Sequence, residues 1–431
     1  MINSTHPQYD NYIKSWDRCR DTYTGEEAVK KRGEVYLPRL GGQTDAEYNA
    51  YLTRAPFFNG IGKTVDGMVG TSMHIEPVIT GVPDDMLEDI TGTGISTKGF
   101  INYLLTEQLL TGRQGILVDH NGDFPYLSGY KTEQITNWSD NFIILKEQYQ
   151  VKNPEKPYEV KYETQYRELT TVDGIYEVYI WRKLLNKYNR SEWVRSEVAI
   201  PTKRGAPLSS MMFLGSSLDG LNLTPEIPPL MPLVDMNLSH YRSSADLEHG
   251  RHFTALPTPY VIGVKDVGDI RLGAETAWAI PNEKAKVGFL EFTGQGLASL
   301  ESAIREKSEM MAALGVQLIS GQRKGVESFE ALALKRNAEL SSLVLAIHRV
   351  EVLMTNALQM AVDWAELEST VTVKLNLNFA LGDEDEHLDD KADKDKKQAQ
   401  KEQKKKIHMV ELKLIIYFLL SLLLYCLYEY C

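Results

Sequence analysis

The residues whose types and spacing come nearest to chemistry are Gly60-Ile61-Gly62-Lys63-Thr64. A glycine-lysine-threonine ending closes the phosphate-binding loop of nucleotide hydrolases, where backbone amides cradle the phosphates and the lysine reaches the outermost ones. The rest of that loop is missing. Its first glycine would fall at position 57, which is Phe57, and Pro56 marks a turn where a strand should feed the loop. Gly92-Thr93-Gly94 fails in the same way as a dinucleotide fingerprint, because the third glycine would fall on Thr97. His249 and His252 lie three apart on an expected helix, with His240, Asp246 and Glu248 nearby. Two imidazoles at that spacing share a face, but a metal needs further ligands, and no other element offers one. No GxSxG elbow, HExxH helix or Cys/His grouping occurs. The residues therefore point away from catalysis and from any metal or cofactor, so no catalytic or metal-binding residue is expected.

Composition narrows the class further. A length of 431 residues allows about three domains at roughly 150 residues each, and 25% charged with 43% hydrophobic residues is globular. Lysine and arginine total 47 against 59 aspartates and glutamates, a formal charge of −12, so the chain is not built to clamp nucleic acid tightly. Cys19 stands far from Cys426 and Cys431, which makes no disulfide framework and fits a reducing compartment. Met1 to Asp10 is polar, with no apolar leader, so the expectation is a protein made in the cytoplasm. Residues 414–428 are apolar over 15 positions, short of the roughly 18 to 20 of a spanning helix.

Helices are expected in 9–73, with a break at Pro56 and a helix over 57–69, and again over 100–112. That last helix leads into a short buried strand at 115–119, ended by the Asn121-Gly122 turn. Alternation with β-branched and aromatic residues predicts strands over most of 142–199, and prolines 225, 228, 229 and 232 mark a connector. Beyond it Met231, Val234, Leu238, Tyr241, Ala245 and Phe253 fall near one face of a helix of about twenty residues. A β segment at 256–293 separates it from a second helix, whose seam is Leu297, Leu300, Ile304, Met311 and Leu314, interrupted by Lys307. A loop at 321–325 precedes a helix over 329–367, about 58 Å long at 1.5 Å per residue, with a stripe at Phe329, Leu332, Arg336, Leu340, Leu343, Ile347, Val350, Met354, Ala357, Ala361 and Trp364. A strand is expected over 370–379.

This order of parts resembles the portal, or head-to-tail connector, proteins of tailed bacteriophages. Residues 32–39 (RGEVYLPR), 48–58 (YNAYLTRAPFF), 64–70 (TVDGMVG), 111–119 (TGRQGILVD) and 233–259 (ending HFTALPTP) carry the resemblance, which covers roughly 10–380. It implies an α+β, portal-like fold: a wing at 1–229, a first stem helix at 230–254, a clip at 255–294, a second stem helix at 295–317, a tunnel loop at 318–327, and a long wing helix with a closing strand at 328–380. It also implies a homo-oligomeric ring, usually of twelve copies, at one capsid vertex of a virion. Its expected partners are the major capsid protein, the terminase, tail adaptors and double-stranded DNA in transit. Within it, Gln322, Arg323 and Lys324 of the loop would face the DNA, while Lys265, Arg271, Lys284 and Lys286 of the clip would contact the motor or the adaptor. An acidic ring suits that role, since each phosphate neutralised by a cation adds affinity that would hold the duplex. Lys307 and Arg336 are expected at partly wet contacts between subunits.

The end of the chain departs from the family pattern. Residues 383–390 carry six acids, and 391–406 carry eight lysines against three acids, a solvated charge run. Three readings remain for the apolar 407–431: a crown helix, a terminus read in an altered frame, or a membrane anchor. The last would make the chain a membrane-associated scaffold.

Overall fold

The computed structural model describes residues 1–152, 158–185, 190–218, 220–254, 258–263, 284–290, 295–316 and 329–377, all within one unit, Met1–Leu377. The expected loop over 318–327 and everything after residue 377 lie outside the described residues.

The fold is α+β. The N-terminal helices are α1 (Pro7–Thr24), α2 (Glu26–Lys31), α3 (Asp45–Arg54) and α4 (Gly60–Ser72). Helix α3 starts on a capping box: Thr44 Oγ1 accepts from the Glu47 amide, and the Glu47 carboxylate accepts from the Thr44 amide at 2.7 Å. Helix α4 begins three residues later than the apolar pattern predicts. Asn59 is its cap, accepting from the Gly62 amide at 2.8 Å, and that local bond outweighs the two phenylalanines that precede it. Strand β1 (Val78–Thr80) and the short α5 (Asp84–Glu88) lead to α6 (Thr97–Thr111), which ends on Gly112 at φ 69°.

Helix α6 feeds β2 (Gln114–His120), which turns through Asn121 into β3 (Pro125–Lys131). The Asn121 side chain accepts from the amides of Asp123 and Phe124, and Gly122 supplies the positive φ of 104°. The meander β4 (Ile135–Ser139), β5 (Phe142–Lys152), β6 (Val160–Val172), β7 (Ile175–Leu185) and β8 (Ser191–Ala199) forms a five-stranded antiparallel sheet in sequence order, where the alternation predicts strands. A small hairpin of β9 (Thr202–Lys203) and β10 (Ala206–Pro207) follows, and then β11 (Phe213–Ser216), which pairs with β2. Side chains couple the two larger sheets. Arg167 donates to Asp119 and to Glu147 at 2.8 Å each, and Tyr130 donates to the same Glu147 at 2.5 Å.

Arg113, at the start of β2, is fully buried. It donates to the carbonyl oxygens of Leu223 and Thr132 and stacks over the Trp138 ring at 4.3 Å. Burial pulls its pKa down to about 9, which still leaves it charged at neutral pH. Cys19 is a buried small apolar group whose thiol burial pushes up to about 12.

Three further helices complete the unit: α7 (Met231–Thr254), α8 (Gln295–Met311, continued by a wider turn over Ala312–Val316) and α9 (Phe329–Trp364). Between α7 and α8 lie β12 (Thr258–Ile262) and β13 (Lys286–Leu290), an antiparallel pair. From Leu343 onward the apolar stripe of α9 is buried at every expected position, and the helix packs on α6 and on the sheet of β2, β3 and β11. The closing strand β14 (Thr372–Lys374) is shorter than its alternation predicts and pairs with β1. Strand β1 starts just after Pro77, which has no amide to offer, and the Leu375 amide turns instead to the Glu351 carboxylate at 2.7 Å.

Candidate functional site

The candidate site is the rod formed by α7 and α8 with the hairpin at its end. Helix α7 is 24 residues long, about 36 Å at 1.5 Å per residue. Prolines 228 and 229 stop the preceding connector and Pro232 fits the first turn, where its missing amide costs nothing. The first two-thirds of the helix is embedded: Leu233, Val234, Leu238, Tyr241 and Ala245 are buried, with α1, α3 and α4 packed against it. Its last turn, Arg251 and His252, is exposed.

Helix α8 returns antiparallel to it. Arg251 reaches Glu301 at 2.8 Å, and Lys307 Nζ donates to the Ser239 carbonyl at 3.2 Å and to Ser243 Oγ at 2.6 Å. Near the hairpin the rods approach closely enough that a Cβ on Gly250 would stand 2.6 Å from the Leu297 side chain. At the other end Gly315, at φ 137°, lies against Thr64, Leu233 and Met68.

The seam expected on α8 is only partly closed. Leu297, Leu300 and Ile304 are half-buried, Met311 is buried, and Leu314 is 42% exposed. Leu314 leaves the seam because the helix widens at Ala312, which rotates the following residues off the α7 face. Lys307 is held within its own chain. Expected at a partly wet contact between subunits, it is half-buried, and its ammonium bridges to α7 of the same chain. Partial burial, then the nearby Arg242, pulls its pKa below the ordinary lysine value. Arg336, Lys265, Arg271, Gln322, Arg323 and Lys324 fall where no side chain is described.

Lys284 and Lys286 are described, and both are exposed at the base of β13. The hairpin pairs Thr258 with Leu290 and Ile262 with Lys286. Tyr260, Ile262 and Val287 are exposed on it, so among the described residues it has no body to pack against. A lone two-stranded hairpin is marginal in water.

The segments that resembled chemistry are occupied by structure. The Gly62 amide goes to Asn59, the Gly60 amide to Asn237 Oδ1 at 3.2 Å, and the Thr64 hydroxyl to the Gly60 carbonyl at 2.8 Å. Amides spent on a helix cap cannot cradle a phosphate, and Lys63 lies over the Phe58 ring instead. His249 meets the Tyr51 ring edge-on at 5.0 Å, and Asp246 accepts from the Tyr51 hydroxyl at 2.6 Å. Among the described residues no three His, Cys, Asp or Glu side chains converge on a point that could hold a metal ion.

Residues 229–365 match the family described as domain of unknown function DUF4055. The match runs from just before α7 to just after α9, so it spans the rod, the hairpin and the long helix. No curated protein matches the chain in sequence. Among solved structures, the chain is similar to one in the neck of an empty GTA particle computed with C6 symmetry, at 13% identity, covering 79% of this chain and 87% of that one, with a TM-score of 0.42. Another is in the virion of a native gene transfer agent (GTA) particle, at 12% identity, 88% and 94% coverage and a TM-score of 0.41. A third is in the neck of a native GTA particle computed with C12 symmetry, at 14% identity, 82% and 90% coverage and a TM-score of 0.39.

Proposed function

We propose that the chain is a portal-type subunit of a phage-like particle, closing with copies of itself into a ring through which double-stranded DNA passes. The observation that carries this reading is the exposed hairpin held at the end of two antiparallel rods whose other ends are anchored in the body. Among the described residues this tip leaves Tyr260, Ile262 and Val287 exposed, and it gains partners when copies are arranged side by side. Helices α7 and α8 act as the stem, the hairpin as the clip, and α9 as the helix that carries the chain back to the wing. Twelve copies is the number the family resemblance supplies.

In this role the ring sits at one vertex of the capsid, within the major capsid protein. It docks the terminase during packaging and tail adaptors afterwards, through clip residues that include Lys265, Arg271, Lys284 and Lys286. The motor supplies ATP hydrolysis, and the ring supplies the path. The net negative chain keeps the duplex from sticking, while Gln322, Arg323 and Lys324 place a collar of contacts around it. Among the described residues no helix is long and apolar enough to cross a membrane, and residues 414–428 lie outside them.

The test is the double variant Arg323→Ala with Lys324→Ala, assayed for ring formation and for DNA retained in particles. The expected outcome is normal rings with altered packaging or retention. Rings that fail to form, or rings that package and hold DNA as before, would remove the collar from the account.

A further inference from the structure

One flank of α7 carries a charge that no described residue answers. Asp235, Arg242, Asp246 and His249 are spaced i, i+7, i+11 and i+14 and share a helix face. The two acids are engaged, Asp235 by Arg18 and Asp246 by the Tyr51 hydroxyl. Arg242 is exposed and has no ion-pair partner among the described residues. Burial of part of its stem, then Arg18, pulls its pKa below the ordinary arginine value, and Lys307 is another cation within its field.

The opposite imbalance lies on α8. Ser302, Glu306 and Glu309 project from the flank turned away from the Leu297, Ile304 and Lys307 face, and all three are exposed. The Ser302 hydroxyl donates weakly to Glu306 at 3.4 Å, and Glu309 has no cationic partner among the described residues. Because Lys307 is tied to Ser239 and Ser243, residues 306–309 of α8 stand level with Arg242 on α7. The two unanswered charges therefore share one height on the rod but occupy different flanks.

That placement has a symmetry consequence. Rotation about a ring axis running along the rods preserves height, so a flank can meet only what its neighbour presents at the same level. We infer that Arg242 of one copy docks against the Glu306 and Glu309 flank of α8 in the next copy, making a charge-paired stem contact around the ring. This rests on the portal-type reading above and names its interface. A second copy is the occupant because both halves of the complementary pair are on one chain. Solvent-facing ion pairs contribute little to affinity, but at an interface such charges select register and partner, and like charges brought together cost far more than the pair gains.

The experiment uses the full chain and charge reversal. Arg242→Glu alone, and Glu306→Arg with Glu309→Arg, are each expected to raise the protein concentration at half-assembly about tenfold or more, read by sedimentation and by electron microscopy. Combining all three reversals is expected to bring it back to within about threefold of the unaltered chain. Circular dichroism of each variant checks that the protomer still folds. Reversals that leave ring assembly unchanged, or folded single-reversal variants that the combination does not rescue, overturn the interface. Intact Arg242→Glu rings that release DNA more readily would assign this flank to the duplex, which also overturns it. If the unaltered chain forms no ring at any concentration, the portal reading falls together with the interface. Rings from the unaltered chain that ignore the reversals remove the interface alone.

Discussion

His240 shows how the stem discriminates between protonation states at a single position. It is 8% exposed on α7, its Nδ1 lies 3.4 Å from Ser244 Oγ, and both burial and the nearby Lys307 push its pKa below 6.5. The folded chain therefore resists a proton that the unfolded chain accepts. Its contribution to stability is full above the unfolded value near 6.5 and is lost as pH falls through the lower folded value. His240→Gln is expected to flatten the decline of Tm between about pH 7 and pH 5, with His6 and His249, whose pKa values are also lowered, carrying what slope remains. Thermal melts of both proteins across that range check it, and parallel curves would count against it. Little of this was legible in the sequence. His240 stands among metal-like neighbours there, and only its burial in the folded chain, then the nearby Lys307, makes the ring resist a proton. Lys307 shows the same limit: periodicity marks a cation in a seam but not the two serine partners, 64 and 68 residues away, that receive it.

At the scale of elements, legibility follows how much of the decision is local. Helix α7 begins where the proline punctuation and apolar spacing put it, because both act within a few residues, and it ends at Thr254, the bound the resemblance implies. The α9 stripe was readable from its period and is buried from Leu343 on, since a helix of that length buries whatever repeats along one face. Helix α4 and strand β14 were misjudged at their ends because an Asn59 cap and a Glu351 carboxylate compete with the apolar pattern. Ile304 tests the rod itself. It lies half-buried on the α8 face turned to α7, so Ile304→Asp should destabilise the rod by about 2 kcal/mol through lost apolar burial and a carboxylate forced against α7. Chemical denaturation of the full chain measures that loss. A variant as stable as the parent would show that α8 is not held through this seam.

For the whole molecule, the described residues leave the rod of α7 and α8 and its hairpin substantially exposed. Half-buried seam residues on α8, a hairpin with exposed Tyr260, Ile262 and Val287, and charged flanks at one height are the surfaces that the proposed ring would cover with lateral copies. The sequence conveyed the order of helices, sheet, hairpin and long helix, because those elements differ in period and punctuation. It could not convey which flank meets which, since that depends on the level at which two antiparallel rods are pinned. Electron microscopy of the purified full-length chain, with averaging of single-particle views, tests the central claim most directly. The account predicts closed rings with a central opening, their stems side by side, and a contradicting result would be a single folded chain at every protein concentration and salt tried.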